Sequence, residues 1–372
     1  MAAAEAQLVA ASTIAWWGAG LGAVFGYVAN RTNFCTMGAV ADIVNMQMWT
    51  RMRMWLLALG VAVLVTGSLQ LAGLFDASKT IYTAPKLVWL SHIVGGLLFG
   101  IGMTLAGGCG SKTLIRIGGG NLKSIVVFVF VAMAAYMTLK GLFGVWRVQW
   151  LDSVAITLST PQDLASVLSG AMSMSRNSML MALMAVIGGG TVLFALAHPQ
   201  ARRAEPLLGG LMIGLIAAAG WYVTGHMGFV AEHPETLQEA FIGTTSGKAE
   251  SMSFIAPYAY TVELLMFWSD TTKIVTFGIA TALGVIAGSA AHALSTGNFR
   301  IESFANASDL GRHLIGAILM GFGGVTAMGC SVGQGISGVS TLSIGSMITF
   351  LAIVGGAALT VKWEYWQAMK DD

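Results

Sequence analysis

Long runs without a charged side chain dominate the pattern of this chain. Six of them, 6–30, 54–75, 87–111, 177–201, 206–231 and 274–299, contain no Asp, Glu, Lys or Arg. A helix needs about 20 apolar residues to cross roughly 30 Å of hydrocarbon, so each run predicts a membrane span. Segment 124–146 is interrupted only by Lys140 and predicts another. From His313 to Val361 lie 49 uncharged residues. As one helix they would extend about 74 Å, so the chain must fold back. The Gly-rich run from Gly329 to Gly338 is the natural break, giving two spans around a re-entrant segment and nine expected crossings in all.

The remaining stretches read differently. Segment 251–269 carries Pro257 in its middle and Glu263 beyond it, which predicts a short helix that does not cross. Segment 147–176 is polar enough to lie outside the membrane. The first apolar run lacks a basic flank and a small-residue cleavage site, so it reads as a mature span. Arg31, Arg51, Arg53, Arg202 and Arg203 mark cytoplasmic loops, whereas Glu232, Glu235, Glu239 and Glu250 fill a loop on the other side. By the positive-inside rule the N-terminus is then outside and the C-terminus cytoplasmic.

Composition excludes the alternatives. Of 372 residues 56% are hydrophobic and 10% charged, whereas a water-facing surface needs roughly a quarter of its residues charged. An ordinary soluble enzyme is therefore ruled out. A formal net charge of +2, with no basic run interleaved with aromatics, excludes nucleic acid as a partner.

A 221-residue offset exposes an internal repeat. It aligns His92–Gly110 with His313–Ser331, and eight of nineteen positions are identical, among them His92/His313, Gly95/Gly316, Gly102/Gly323, Gly108/Gly329 and Cys109/Cys330. A second, weaker echo sets Thr32-Asn33-Phe34-Cys35 against Gly297-Asn298-Phe299-Arg300. An even number of crossings between the aligned helices predicts an inverted repeat, a transporter design in which broken helices meet near the midplane. The expected fold class is thus all-α and polytopic, with about nine transmembrane helices plus short re-entrant helices. One membrane domain spans 1–372: a first half at 1–146, a connecting region at 147–272 with spans at 177–201 and 206–231, and a second half at 273–372.

Cys35, Cys109 and Cys330 are the only cysteines. An odd count in a large membrane protein argues against a disulfide framework. His92 and Cys109 are 17 residues apart, about 25 Å along a helix, so neither they nor their repeat counterparts share an ion; no metal and no cofactor is expected. One reading makes each Cys a small apolar filler. The other rests on duplication. A re-entrant helix starting after Cys109 or Cys330 aims free N–H groups and its positive end at the pore centre, which favours an anion. Thiols are weak, polarizable donors suited to soft sulfur, and they hold an anion without a fixed charge that would trap it. Gly108, Gly110, Gly329, Ser331 and Gln334 form the same loops.

Lys112 and Arg116 follow Cys109 and either draw anions in or snorkel to headgroups. Arg31 and Arg300 flank the two Asn-Phe pairs and line the mouths, or serve as positive-inside anchors. Glu263 is an acid within an apolar stretch and hence a functional candidate, unless it reaches the interface. His92 and His313 read as interface residues, and Met172, Met174, Met179, Met181 and Met184 as flexible packing.

Arg31-Thr32-Asn33-Phe34-Cys35-Thr36-Met37-Gly38-Ala39, Leu105-Ala106-Gly107-Gly108-Cys109-Gly110 and Met328-Gly329-Cys330-Ser331-Val332-Gly333-Gln334-Gly335 together resemble the YeeE/YedE sulfur-transport family. The resemblance implies an hourglass-shaped bacterial inner-membrane protein that takes up thiosulfate. It places functional cysteines at Cys35, Cys109 and Cys330, with Cys109 and Cys330 forming the neck. Thiosulfate would pass by successive hydrogen bonds from thiols, and a small cytosolic sulfur carrier protein would receive the sulfur. The competing reading is a membrane sensor that binds a sulfur compound and relays to a soluble regulator. A membrane thiol oxidoreductase lacks a C-x-x-C pair, and no G-x-x-x-x-G-K-[ST] motif for nucleotide hydrolysis occurs; a non-enzyme is expected.

Overall fold

The computed structural model describes residues 2–233, 237–270 and 272–371. Glu235, one of the acids assigned to the outer loop, lies outside them. Fifteen α-helices follow in chain order among the described residues. They are α1 (Ala2–Arg31), α2 (Thr36–Met46), α3 (Thr50–Leu71), α4 (Trp89–Leu105), α5 (Gly110–Gly118), α6 (Leu122–Lys140), α7 (Leu142–Trp146) and α8 (Leu164–Met172). The rest are α9 (Arg176–Leu183), α10 (Gly190–Leu196), α11 (Ala204–Tyr222), α12 (Ile255–Met266), α13 (Phe277–Ser295), α14 (Ala307–Thr326) and α15 (Ile344–Asp371). Wide turns at Met184–Gly189 join α9 to α10 in one span.

Among the described residues eight segments are long and apolar enough to cross a membrane. The twenty-residue α14 is the ninth long helix; Asp309 and Arg312 in its first turns make it less apolar than the others. The protein is an all-α, multi-pass membrane protein. Among the described residues sheet is confined to two short antiparallel pairs, Lys86–Leu87 with Ile156–Thr157 and Phe229–Val230 with Ala240–Phe241.

Several boundaries move. Helix α6 stops at Lys140, where Gly141 leaves helical geometry, so the expected span 124–146 is cut short. The 87–111 run breaks after Leu105. Pro257 sits in the first turn of α12, where its missing N–H costs nothing, so it starts that helix rather than interrupting it. His92 is not an interface residue: it is 3% exposed, with Nδ1 2.7 Å from the Thr349 hydroxyl. Within the Met run, Met179 and Met184 are buried, whereas Met172, Met174 and Met181 are exposed.

The repeat has a physical form. Helices α4 and α14 end in the same left-handed turn, at Gly107 (φ 70°) and Met328 (φ 60°). In each turn the next N–H bonds back five residues, Gly108 to Met103 O and Gly329 to Gly324 O, both at 2.8 Å; this closes a Schellman cap. The two helices cross antiparallel. A Cβ on Gly95 would meet Gly323 O at 2.8 Å, and one on Gly102 would meet Gly316 O at 2.6 Å. Under the offset Gly95 corresponds to Gly316 and Gly102 to Gly323, so each contact is the other with its partners exchanged. That reciprocity is the signature of a two-fold axis between inverted elements.

Neighbouring contacts exchange in the same way. Helix α4 packs along α15, and α14 along α6, each against the opposite half. Helix α1 packs in parallel with α13: Gly18 faces Phe277 and Gly284 faces Ala19. Parallel neighbours cannot be inverted copies of each other, so the Asn-Phe echo, which pairs the ends of α1 and α13, does not follow the axis.

Candidate functional site

Each cysteine sits at the start of a short helical segment. Cys35 caps α2, its sulfur accepting from Gly38 N at 3.4 Å. Cys109 is extended (ψ 177°) immediately before α5. Cys330 precedes the helical segment 331–340, and Gly333 N donates to its sulfur at 3.3 Å. All three thiols are free and buried, Cys109 and Cys330 at 1% exposure.

They converge. The Cys35 and Cys109 thiols lie near enough to interact with each other. Cys109 Sγ lies 3.3 Å from Ser111 Oγ, and Ser331 faces the same sulfur. The Ser331 hydroxyl has no well-formed hydrogen bond although fully buried, and Gln334 Oε1 likewise stands unpaired. Unsatisfied buried polar atoms are costly and call for an explanation. The loop glycines are packed tight: a Cβ on Gly108 would meet Lys112 Cγ at 3.0 Å, one on Gly110 the Ile255 side chain at 3.1 Å, and one on Gly329 Gln334 Cγ at 3.1 Å.

The start of α12 wedges against these loops. Tyr258 Oη donates to Gly110 O, and the Phe254 N–H faces the Cys330 sulfur. Neither residue was singled out from sequence, because an aromatic in an apolar helix carries no signal of its own. On the other side Trp55 holds α2: its Nε1 donates to Thr36 Oγ1 at 3.1 Å, while its ring stacks on Phe350 at 4.3 Å.

Two cavities approach the thiols. One, about 760 Å³, is lined by Arg31, Asn33, Gly107, Lys112, Arg116, Lys123, Asn298, Arg300, Glu302 and His313. The other, about 230 Å³, is lined by Tyr82, Arg147, Glu250, Ser251, Ser253, Tyr260, Met328 and Gly329. Gly107 and Met328 end antiparallel helices, so the cavities open toward opposite faces with the cysteines between them. Lys112 Nζ reaches Asn33 Oδ1 at 2.9 Å beside the cysteine pair. Arg31 and Arg300 line the same cavity and so do not mark two separate mouths.

Glu263 is not part of this arrangement. Its carboxylate, 7% exposed, accepts from Lys140 at 2.8 Å and Lys273 at 2.7 Å, ion pairs that tie α12 to α6 and to the loop before α13. No group of three or more His, Cys, Asp or Glu that could hold a metal occurs among the described residues.

A multi-pass protein with a cavity reaching each of two loops that carry a buried thiol has the build of a membrane transporter. The sulphur transport family matches residues 31–359, and the chain belongs to that family. It is similar to the "Thiosulfate transporter TsuA" of Escherichia coli (strain K12), with 28% identity over 337 residues covering 85% of this chain and 84% of the relative. It is also similar to the protein of the same name from Spirochaeta thermophila (strain ATCC 700085 / DSM 6578 / Z-1203), with 25% identity over 349 residues, 92% of this chain and 96% of the relative.

Proposed function

We propose that this protein carries thiosulfate across the bacterial inner membrane through a neck formed by Cys109 and Cys330, with Cys35 as the third station. The observation that carries the reading is the convergence of three free, buried thiols between two opposed vestibules. Relatives along most of the chain are named thiosulfate transporters. Thiols and hydroxyls offer neutral donors to an anion at a point where a fixed cation would hold it too tightly. The anion is handed on without covalent turnover, so the protein acts as a carrier and not an enzyme. Arg31, Lys112, Arg116 and Arg300 concentrate the anion in the larger vestibule. The N-terminus lies outside and the C-terminus in the cytoplasm, where a small sulfur carrier protein receives the product.

The two halves are then α1–α6 and α11–α15, with α7–α10 inserted between them, in place of the division at 273. Exchange of contacts supports this: α1 with α13 mirrors α11 with α3, and α2 with α15 mirrors α12 with α6.

Uptake of radiolabelled thiosulfate into proteoliposomes is the test. Saturable uptake is expected for the wild type, with a loss of at least tenfold in Cys109→Ala and Cys330→Ala proteins of unchanged thermal stability. Wild-type rates in both variants would reject the thiol neck. Binding without flux in the wild type would favour a sensor.

A further inference from the structure

The smaller vestibule contains a group that a path for anions should avoid. Glu250 lies on its wall together with Gly329, the residue before Cys330. Its carboxyl is held in place. Oε1 accepts from Thr245 N at 3.1 Å and Ser246 N at 2.8 Å, and Glu250 N donates to Thr224 Oγ1 at 3.0 Å. Oε2 points toward Gly278, 4.0 Å from where a Cβ there would lie, with Pro257 alongside. The acid cannot swing away from the cavity without breaking these bonds.

Among the described residues no cation is paired with it. Arg147, on the same cavity wall, is paired with Asp152 at 3.1 Å. Lys79, whose carbonyl receives Ala249 N–H, has its ammonium on Glu239 at 2.7 Å. Lys248 stands on Glu250's own exposed loop. The other titratable groups facing it are the phenols of Tyr82 and Tyr260, from the segment before the first strand and from α12; Tyr82 in turn neighbours Cys330. Burial pushes the Glu250 carboxyl up from its ordinary range, against the pull of the Ser246 and Thr245 hydrogen bonds.

As a carboxylate, Glu250 repels a sulfur oxyanion from this antechamber. Protonated on Oε2, it keeps both backbone bonds on Oε1 and turns a repelling oxygen into an O–H donor aimed at the cavity. We propose that Glu250 takes up a proton from the water of its own face each time an anion occupies the smaller vestibule, making passage between that vestibule and the neck a proton-linked step. This rests on the transport reading above but concerns a residue that reading does not use.

Two measurements test it. In proteoliposomes with internal pH fixed, thiosulfate uptake through the Glu250 face should fall about tenfold per external pH unit once pH exceeds the carboxyl's folded pKa. The Glu250→Gln protein should run at the acid-limit rate, flat within about twofold from pH 5.5 to 8, and Glu250→Asp should keep a pH dependence. A wild-type pH profile in Glu250→Gln overturns the proposal. Independently of flux, calorimetry of sodium thiosulfate binding in buffers of different ionisation enthalpy counts protons. Near one proton taken up per anion is expected above the folded pKa in the wild type, and none in Glu250→Gln; equal counts overturn the proposal. If the wild type binds thiosulfate without moving it, the transport reading falls while the proton count still decides the role of Glu250.

Discussion

Ser331 separates what stabilises the protein from what serves its ligand. Its hydroxyl is buried beside Cys109 with no well-formed bond, so removing it relieves a desolvation cost of about 1 kcal/mol or more. Ser331→Ala should therefore melt at the same temperature as the wild type or higher, while its KM for thiosulfate rises severalfold. A lower melting temperature with unchanged KM would show that the hydroxyl is structural. Glu263 should behave in the opposite way. Its buried carboxylate joins two partly exposed lysines, and Glu263→Gln should cost about 1–2 kcal/mol after discounting for solvent screening. Thermal unfolding reads that loss, and uptake per folded molecule should not change. The two residues also mark how far sequence could see. Ser331 was visible through its place in a duplicated loop, whereas Glu263 stood out as an acid among apolar residues because its lysine partners, 123 positions before and 10 after, are joined to it only by folding.

At the scale of helices, close approach of backbones does the holding. In a membrane, lipid is as apolar as Leu, so helices associate through small residues that let their surfaces meet. The α4–α14 crossing depends on this: a Cβ at position 102 would lie 2.6 Å from Gly316 O and Met320 N, both backbone atoms that cannot step aside. Gly102→Ala should then cost roughly 1–3 kcal/mol and misplace both re-entrant loops. Gly20, on the same kind of apolar helix, has nothing within 4 Å of its Cβ position, and Gly20→Ala should gain about 1 kcal/mol from helix propensity. Melting temperatures of the pair in one detergent check the contrast; similar shifts would show that the crossing is looser than the backbone contacts imply. The spans were legible because hydrocarbon forbids charge, and the α4/α14 duplication because Gly, His and Cys are each needed at fixed places. The proposed kinship of α1–α2 with α11–α12 was not legible. Their shared role, packing a span and backing a thiol loop, is met by many apolar residues, so Cys35 caps one helix through its sulfur while Phe254 precedes the other with no side-chain bond to it. The Asn-Phe echo was misleading for a related reason: parallel neighbours drew matching polar residues to one vestibule.

Around the α4–α14 crossing the molecule repeats in its backbone and differs in its charge. The axis that exchanges α4 with α14 also exchanges the two vestibules, yet Lys112 and Arg116 have Gly333 and Ser337 as counterparts. One vestibule is therefore cationic, and the other presents Glu250 and a paired Arg147. Such asymmetry cannot by itself accumulate substrate, because binding energy differences on a closed cycle leave the equilibrium between compartments unchanged. What it sets is how the anion is captured from each face. Screening length shrinks from about 10 Å at 0.1 M salt to about 3 Å at 1 M, so only the cationic face should lose capture as salt rises. In proteoliposomes of uniform orientation, KM measured from that face should increase severalfold between low and high salt, and KM from the Glu250 face should stay within about twofold. Arg116→Gln should reproduce part of the rise at low salt without altering the maximal rate. Equal salt sensitivity from both faces would place the field elsewhere, in the neck the two vestibules share, and would make the four basic residues ordinary anchors at the membrane surface.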